Sequence, residues 1–310
     1  MPTRATKVGR VSVSELPSGY GYGVSAVTGD VVDRLGTSSV YDSAQRLAPV
    51  RGALRDLFEY RALVRLLVAR DLTVRYKRSL LGVTWTVLNP LLTSLVMWIV
   101  FQHLFHASLP GHIPYLVYLL SGVLAVSYFQ QSVYSTSASL VASASMLTKV
   151  YVPPIVFAVS AACSGALNFI FGLVPLLAFQ VGLGVGIAWT VILVPLPLIL
   201  LLCMIAGFGL FLATFAIRFD DVLNLVNVGL VLVGYLTPTF FPITIIPVEY
   251  RKYFYANPLY SYVNLFRYLE YGAQRPSAIS FAVIAASGIG ALGVGLFVFV
   301  RRWPNVAALL

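Results

Sequence analysis

Three stripes of neutral polar side chains interrupt an otherwise apolar chain. Thr86, Asn89 and Thr93 recur at i, i+3 and i+7, the spacing that puts side chains on one face of a helix. Tyr128, Gln131, Ser135 and Ser139 repeat the pattern in a second apolar run, and Asn224, Asn227 and Tyr235 in a third. Uncharged hydrogen-bonding groups and tyrosine faces suit a pathway for sugars, whose hydroxyls need polar partners and whose ring faces stack on aromatics. Ser, Thr and Asn also join transmembrane helices to one another, so a second reading of each stripe is helix–helix adhesion.

Other chemistry is poorly provided for. No phosphate-cradling loop of the GxxxxGK[ST] type occurs, so nucleotide hydrolysis is not expected in this chain. His103, His106 and His112 fall in one short turn and read as loop polars rather than metal ligands. Cys163 and Cys203 lie inside apolar runs, where a thiol is a small hydrophobe, and no metal is expected. The apolar runs carry no ionisable group of the kind proton- or sodium-coupled carriers place at the bilayer midplane. Energy for transport would come from elsewhere; the competing reading is a passive pore or scaffold.

The elements that must position these residues follow from composition. Of 310 residues, 59% are hydrophobic and 10% charged, against about a quarter charged in soluble domains. A spanning helix needs roughly 20 apolar residues. Six segments qualify, at about 80–102, 113–136, 153–180, 187–217, 222–242 and 277–300, the fourth with a break expected at Pro195 and Pro197. The net charge is +10, and 13 of the 21 Lys and Arg lie in residues 1–78. Basic residues there, with Arg301 and Arg302, place both ends in the cytoplasm against anionic lipid head groups, not nucleic acid. Arg251, Lys252, Arg267 and Arg275 stand on the wrong side of that rule.

The fold expected is an all-α membrane protein. A mobile cytoplasmic tail occupies 1–50, without the apolar core of a signal peptide, and an interfacial helix 51–79. A six-helix domain spans 80–303, and a short cytoplasmic tail 304–310. The interfacial helix is apolar on two sides, with Leu63, Leu67 and Val74 on one and Val64, Val68 and Leu72 on the other. It suits either a wedge between bilayer and a partner or a plain anchor. Residues 243–275 form a re-entrant outer segment. Within it Leu259, Tyr262, Val263, Phe266 and Leu269 share one helical side, opposite Asn264, Arg267 and Glu270. The surrounding tyrosines read either as an interfacial belt or as a sugar-stacking exit.

The run from Arg70 to Pro90 is the most specific stretch. Arg70, Arg75, Tyr76, Ser79, Leu81, Gly82, Trp85 and Pro90 match the basic approach to the first helix in permeases of type-2 ABC polysaccharide exporters, the Wzm and TagG relatives. Asn257-Pro258-Leu259 followed by Arg267 resembles their outer segment before the last helix, and the resemblance covers about residues 50–303. It implies a bacterial inner-membrane homodimer bound to two copies of a separate P-loop ATPase, which holds ATP and Mg. It further implies a polyprenyl-diphosphate-linked glycan of galactan or O-antigen type as cargo, the alternative being a related ABC permease for drugs or lipids. Carried onto this chain, Arg61, Arg65, Arg70, Asp71, Lys149 and Tyr151 would touch the ATPase. Arg75, Lys77 and Arg78 would meet the diphosphate, though positive-inside topology accounts for the same cations. Asn257, Pro258, Tyr262 and Arg267 would form an outer gate, and the three polar stripes the channel lining.

Overall fold

A computed structural model describes residues 50–77, 82, 84–104, 113–147, 152–219 and 221–307. Lys149, Tyr151, Arg78 and most of the 1–50 tail fall outside the described residues, as do the side chains of Thr86 and the three histidines.

Every regular element among the described residues is helical. Two helices lead in, α1 (Val50–Glu59) and α2 (Arg61–Tyr76), so the segment expected as one helix is broken at Tyr60. The bundle follows: α3 (Thr84–Ile99, continued by a π turn over Val100–Leu104), α4 (Tyr115–Ala142), the short α5 (Ala144–Leu147) and α6 (Ile155–Gly182). Next come a 3-10 turn (Trp189–Leu193), α7 (Pro195–Ala216), α8 (Asp221–Leu236), α9 (Val248–Tyr255), α10 (Pro258–Tyr271) and α11 (Ala278–Ala307). Four stretches are long and apolar enough to cross a bilayer: Tyr115–Ala142, Ile155–Gly182, Trp189–Ala216 and Ala278–Trp303. Two shorter apolar helices, Leu88–Gln102 and Asp221–Leu236, accompany them. The break expected in the fourth segment is present: Pro195 opens α7 at a position where its missing N–H costs no hydrogen bond, and the residues before it tighten into the 3-10 turn.

α4 is the central helix, packing against α6, α7, α3, α8 and α10. The most extensive packing joins α7 to α11. At their crossing a Cβ added to Gly295 would lie 2.0 Å from the Gly207 carbonyl oxygen, and one added to Gly207 would lie 2.2 Å from the Ala291 backbone. Only glycine allows two helices to touch backbone to backbone, and in lipid such close packing is a principal source of helix association.

Two apolar cores form in the bundle, a smaller one around α2 and a larger one running from the middle of α4, α6 and α7 to α10. At one end Leu67 of α2 inserts among Leu140, Ile155, Val156, Phe157, Leu210, Ala213, Leu296 and Phe299. That side of α2 is therefore docked to the protein, while Val74 and Leu66 remain exposed. At the other end α10 is walled in by α4, α11 and the 3-10 turn. Its start is well specified: the Asn257 side chain accepts from the Leu259 N–H, and Pro258 supplies a helical φ. Its stop is Gly272 at φ +71°, with Ala188 N and Thr190 Oγ1 donating to the carbonyls of Glu270 and Leu269.

α10 departs from the expected outer-surface amphipathic helix. Its polar side is buried too: Arg267 is 3% exposed and Glu270 1%. Arg267 donates to the Tyr118 and Thr239 carbonyls, both at 3.0 Å, and its guanidinium carbon sits 3.5 Å from the Tyr118 ring centroid. The same strand of loop is held by Tyr115, whose hydroxyl donates to the Phe240 carbonyl, and by Tyr118, which donates to Phe241. A helix can bury both faces where neighbours supply acceptors for its cation, which heptad spacing does not reveal.

Candidate functional site: a polar cleft between α2, α4 and α6

At the α2 end an open cleft of about 850 Å³ lies between α2, α4 and α6. Phe157, Ser160, Ala161 and Ser164 of α6 form its buried floor, with half-buried Asn168 beyond them. Arg70, Asp71 and Arg75 stand on the α2 wall, and Gln131, Tyr134, Ser135 and Ser139 on the α4 wall. Its inner end continues into a narrow cavity of about 40 Å³ that shares Arg75, Gln131, Ser135 and Asn168 and adds Pro90, Tyr128 and Phe169.

One firm polar tie seats α2 along α6: the Tyr76 hydroxyl donates to Asn168 Oδ1 at 2.7 Å. The single Ser164 proton goes chiefly to the Ser160 carbonyl at 2.9 Å, with Asp71 Oδ2 a weak second acceptor at 3.5 Å. Asp71 also pairs with Arg70 at 3.4 Å, with the two side chains 54% and 37% exposed, so that pair adds little stability.

The hydroxyl chemistry of the cleft is asymmetric. Ser160, Ser164, Ser135 and Ser139 each donate to a carbonyl three or four residues earlier in their own helix. Their protons are thereby engaged, and what each oxygen offers the cleft is lone pairs. The Asp71 carboxylate adds further acceptors. Donors are Arg70, Arg75, the amides of Gln131 and Asn168, the latter with its Oδ1 already accepting from Tyr76, and the Tyr134 hydroxyl. In the narrow cavity the Tyr128 hydroxyl is buried and has no hydrogen-bond partner in the protein.

Arg70, Asp71, Arg75, Tyr128, Gln131 and Ser135 are thus brought together from the residues singled out by sequence. Arg61 and Arg65 are exposed along α2 and do not line the cleft, and Lys77 is exposed at its end. Asn89 is exposed and Thr93 half-buried on α3, while Asn224, Asn227 and Tyr235 are exposed on α8. At the far end Asn257 caps α10 and donates to Thr237, and Tyr262 is buried, donating to the Ile284 carbonyl. Burial pushes the Glu270 carboxyl up to about 8, opposed by nearby Arg267, and one of its oxygens lacks a partner. Sequence reasoning passed over Ser160, Ser164 and Asn168; their spacing of four within an apolar run is the signal that could have found them.

A sequence profile of the ABC-2 type transporter family matches residues 62–271, which takes in α2, the cleft and α10. The chain belongs to that family. Among named relatives, the O-antigen export system permease protein RfbA of Myxococcus xanthus is 28% identical over 256 residues, covering 82% of this chain and 97% of the relative. An RfbA permease of Klebsiella pneumoniae is 28% identical over 246 residues, covering 78% of this chain and 92% of its own length. The polysialic acid transport protein KpsM of Escherichia coli is 24% identical over 241 residues, with 77% and 93% covered.

Proposed function

We propose that this ABC-2 family chain is the membrane-spanning subunit of an ATP-driven exporter for a polyprenyl-diphosphate-linked polysaccharide. The observation that carries the reading is the cleft, which joins arginines to a neutral, hydroxyl-accepting floor in a chain that aligns along almost the full length of O-antigen export permeases. Arginine recognises phosphoryl oxygens, and uncharged polar groups meet sugars without holding them too tightly to move.

In this reading the two shorter apolar helices, α3 and α8, cross the bilayer beside the four long ones, giving six spans with both termini in the cytoplasm of a bacterium. The tail over 1–50 and the C-terminal residues 304–310 lie on that side, and α9 and α10 dip into the outer leaflet as a gate. The cleft then opens at the cytoplasmic foot of the first span, where Arg75, Lys77 and Arg78 meet the diphosphate. Exposed Arg61 and Arg65, with Lys149 and Tyr151, face two copies of a separate P-loop ATPase that binds ATP and Mg. A second copy of the chain covers the apolar faces of α3 (Leu92, Leu95, Val96, Ile99) and α8 (Leu225, Val228, Leu232), which are exposed in the single chain. Those faces carry Asn89, Thr93, Asn224, Asn227 and Tyr235, so the channel runs between the copies. Galactan and O-antigen-type glycans are the cargo class.

Purification of the tagged full chain from its native membrane, with mass spectrometry and an ATPase assay, tests the reading. A stoichiometric P-loop ATPase is expected in the complex, and Lys149→Glu should weaken its retention. A chain that purifies alone, with no ATPase after mild crosslinking, would favour the passive pore or scaffold reading instead.

A further inference from the structure

We infer that the cleft between α2, α4 and α6 is a saccharide-reading site that discriminates the sugars next to the diphosphate before export begins. The inference rests on the proposed glycolipid cargo and adds to it a recognition step and the residues that perform it. It also gives Asp71 a role on the cargo rather than on the ATPase.

The hydrogen-bond inventory selects the ligand. A diphosphate at neutral pH accepts hydrogen bonds and donates almost none, so it fits the arginine wall and is disfavoured over a floor of oxygen lone pairs. Ser160 and Ser164 on that floor, with Ser135 and Ser139 on the α4 wall, have engaged their protons within their own helices, and Asp71 adds carboxylate oxygens from the α2 wall. Such a floor calls for a ligand rich in O–H donors. A polyol meets that requirement, and its ring can lie against Tyr134, which lines the cleft and is 40% exposed. Tyr128 adds a second, independent indication: its hydroxyl is buried, without a protein partner, in the narrow cavity that continues the cleft. The volume of about 850 Å³ exceeds what a phosphoryl group needs and accommodates one or two sugar rings. Arg75 lines both spaces and fixes the register between diphosphate and sugar.

The test uses the full chain in lipid nanodiscs and two probes, polyprenyl diphosphate without sugar and polyprenyl diphosphate bearing a disaccharide, with affinity read by native mass spectrometry or thermophoresis. The wild-type chain should bind the glycosylated lipid about tenfold more tightly, the worth of one to two net hydrogen bonds and a stacking contact. Tyr134→Ala, at a partly exposed side chain on the cleft rim, should cut that preference below about threefold and leave the bare lipid's affinity unchanged, and Asp71→Asn should cut it while the bare lipid, with Arg70 released from its pair, binds no more weakly. Arg75→Ala should weaken both lipids alike. Equal affinity of the wild type for the two lipids overturns the saccharide-reading site and leaves the exporter reading standing. Equal loss for both lipids in Tyr134→Ala overturns it as well. Failure of both lipids to bind overturns the glycolipid cargo together with this inference. Thermal unfolding of Asp71→Asn, measured alongside, separates loss of the carboxylate from loss of the α2 seat, and Tyr134→Ala carries the test on its own if that seat is lost.

Discussion

Arg267 should be a principal strut of the α10 end, and the structure allows its contribution to be measured through a coupled pair. It donates to the buried Thr239 carbonyl and the half-buried Tyr118 carbonyl, both at 3.0 Å, to the Ser121 hydroxyl at 3.4 Å, and lies over the Tyr118 ring. Hydrogen bonds from a charged donor are worth about 1.5–3 kcal/mol each and a desolvated cation–π contact about 2 kcal/mol. Keeping a guanidinium out of water costs several kcal/mol in return, so the net loss in Arg267→Met should be roughly 3 kcal/mol. The neighbouring constraint is Gly122, where an added Cβ would stand 2.4 Å from Arg267 Nη2 and 2.9 Å from the Thr239 methyl. Gly122→Ala should therefore cost about 1–3 kcal/mol in the wild type by dislodging the guanidinium. In the Arg267→Met background a flexible thioether can give way, only the Thr239 contact remains, and the cost should fall by about 1–2 kcal/mol. Thermal unfolding of the purified chain in detergent reads this out. At about 2–4 °C per kcal/mol, Arg267→Met should melt roughly 6–12 °C early, and the double variant should melt later than the sum of the singles. Strict additivity, or a shift below about 2 °C for Arg267→Met, would refute the strut.

The other tests address packing and charge. Replacing Gly295 by Leu should separate α7 from α11, because its first side-chain carbon would meet the Gly207 carbonyl at 2.0 Å; loss of the folded monomer from detergent extracts is the expected result, and the exposed-facing Gly290→Leu is the matched control that should fold. For Glu270, burial holds the carboxyl at about 8 against an ordinary 4.5. The folded state thus binds the proton more tightly than the unfolded state, so stability is fullest below pH 4.5 and declines as pH rises through 8. Glu270→Gln should flatten that decline, and an unchanged pH profile of the melting midpoint would count against a buried carboxyl there.

Long apolar runs free of charge determined the class and the helix positions by themselves, because burying a charge in lipid is expensive whatever the tertiary contacts. Local signals placed the breaks as well: Pro195 opens α7, and Asn257-Pro258 opens α10 through capping and a fixed φ, neither of which needs a distant residue. The basic foot of the first apolar helix and several members of the cleft, among them Arg75, Gln131 and Ser135, could also be read from type and spacing. What the sequence could not state was which helix faces meet. The Arg267 side of α10 looks exposed by periodicity and is buried, because its acceptors are the carbonyls of Tyr118 and Thr239, 149 and 28 residues away. Ser160, Ser164 and Asn168 look like helix adhesive until α2 folds back to make them a floor opposite Asp71 and Arg75. Periodicity fixes the side of a helix a residue occupies, while the neighbour that side meets depends on pairings between elements far apart in the chain. For that reason the four long apolar helices were legible from the residues alone, and the cleft existed only once α2, α4 and α6 had packed together.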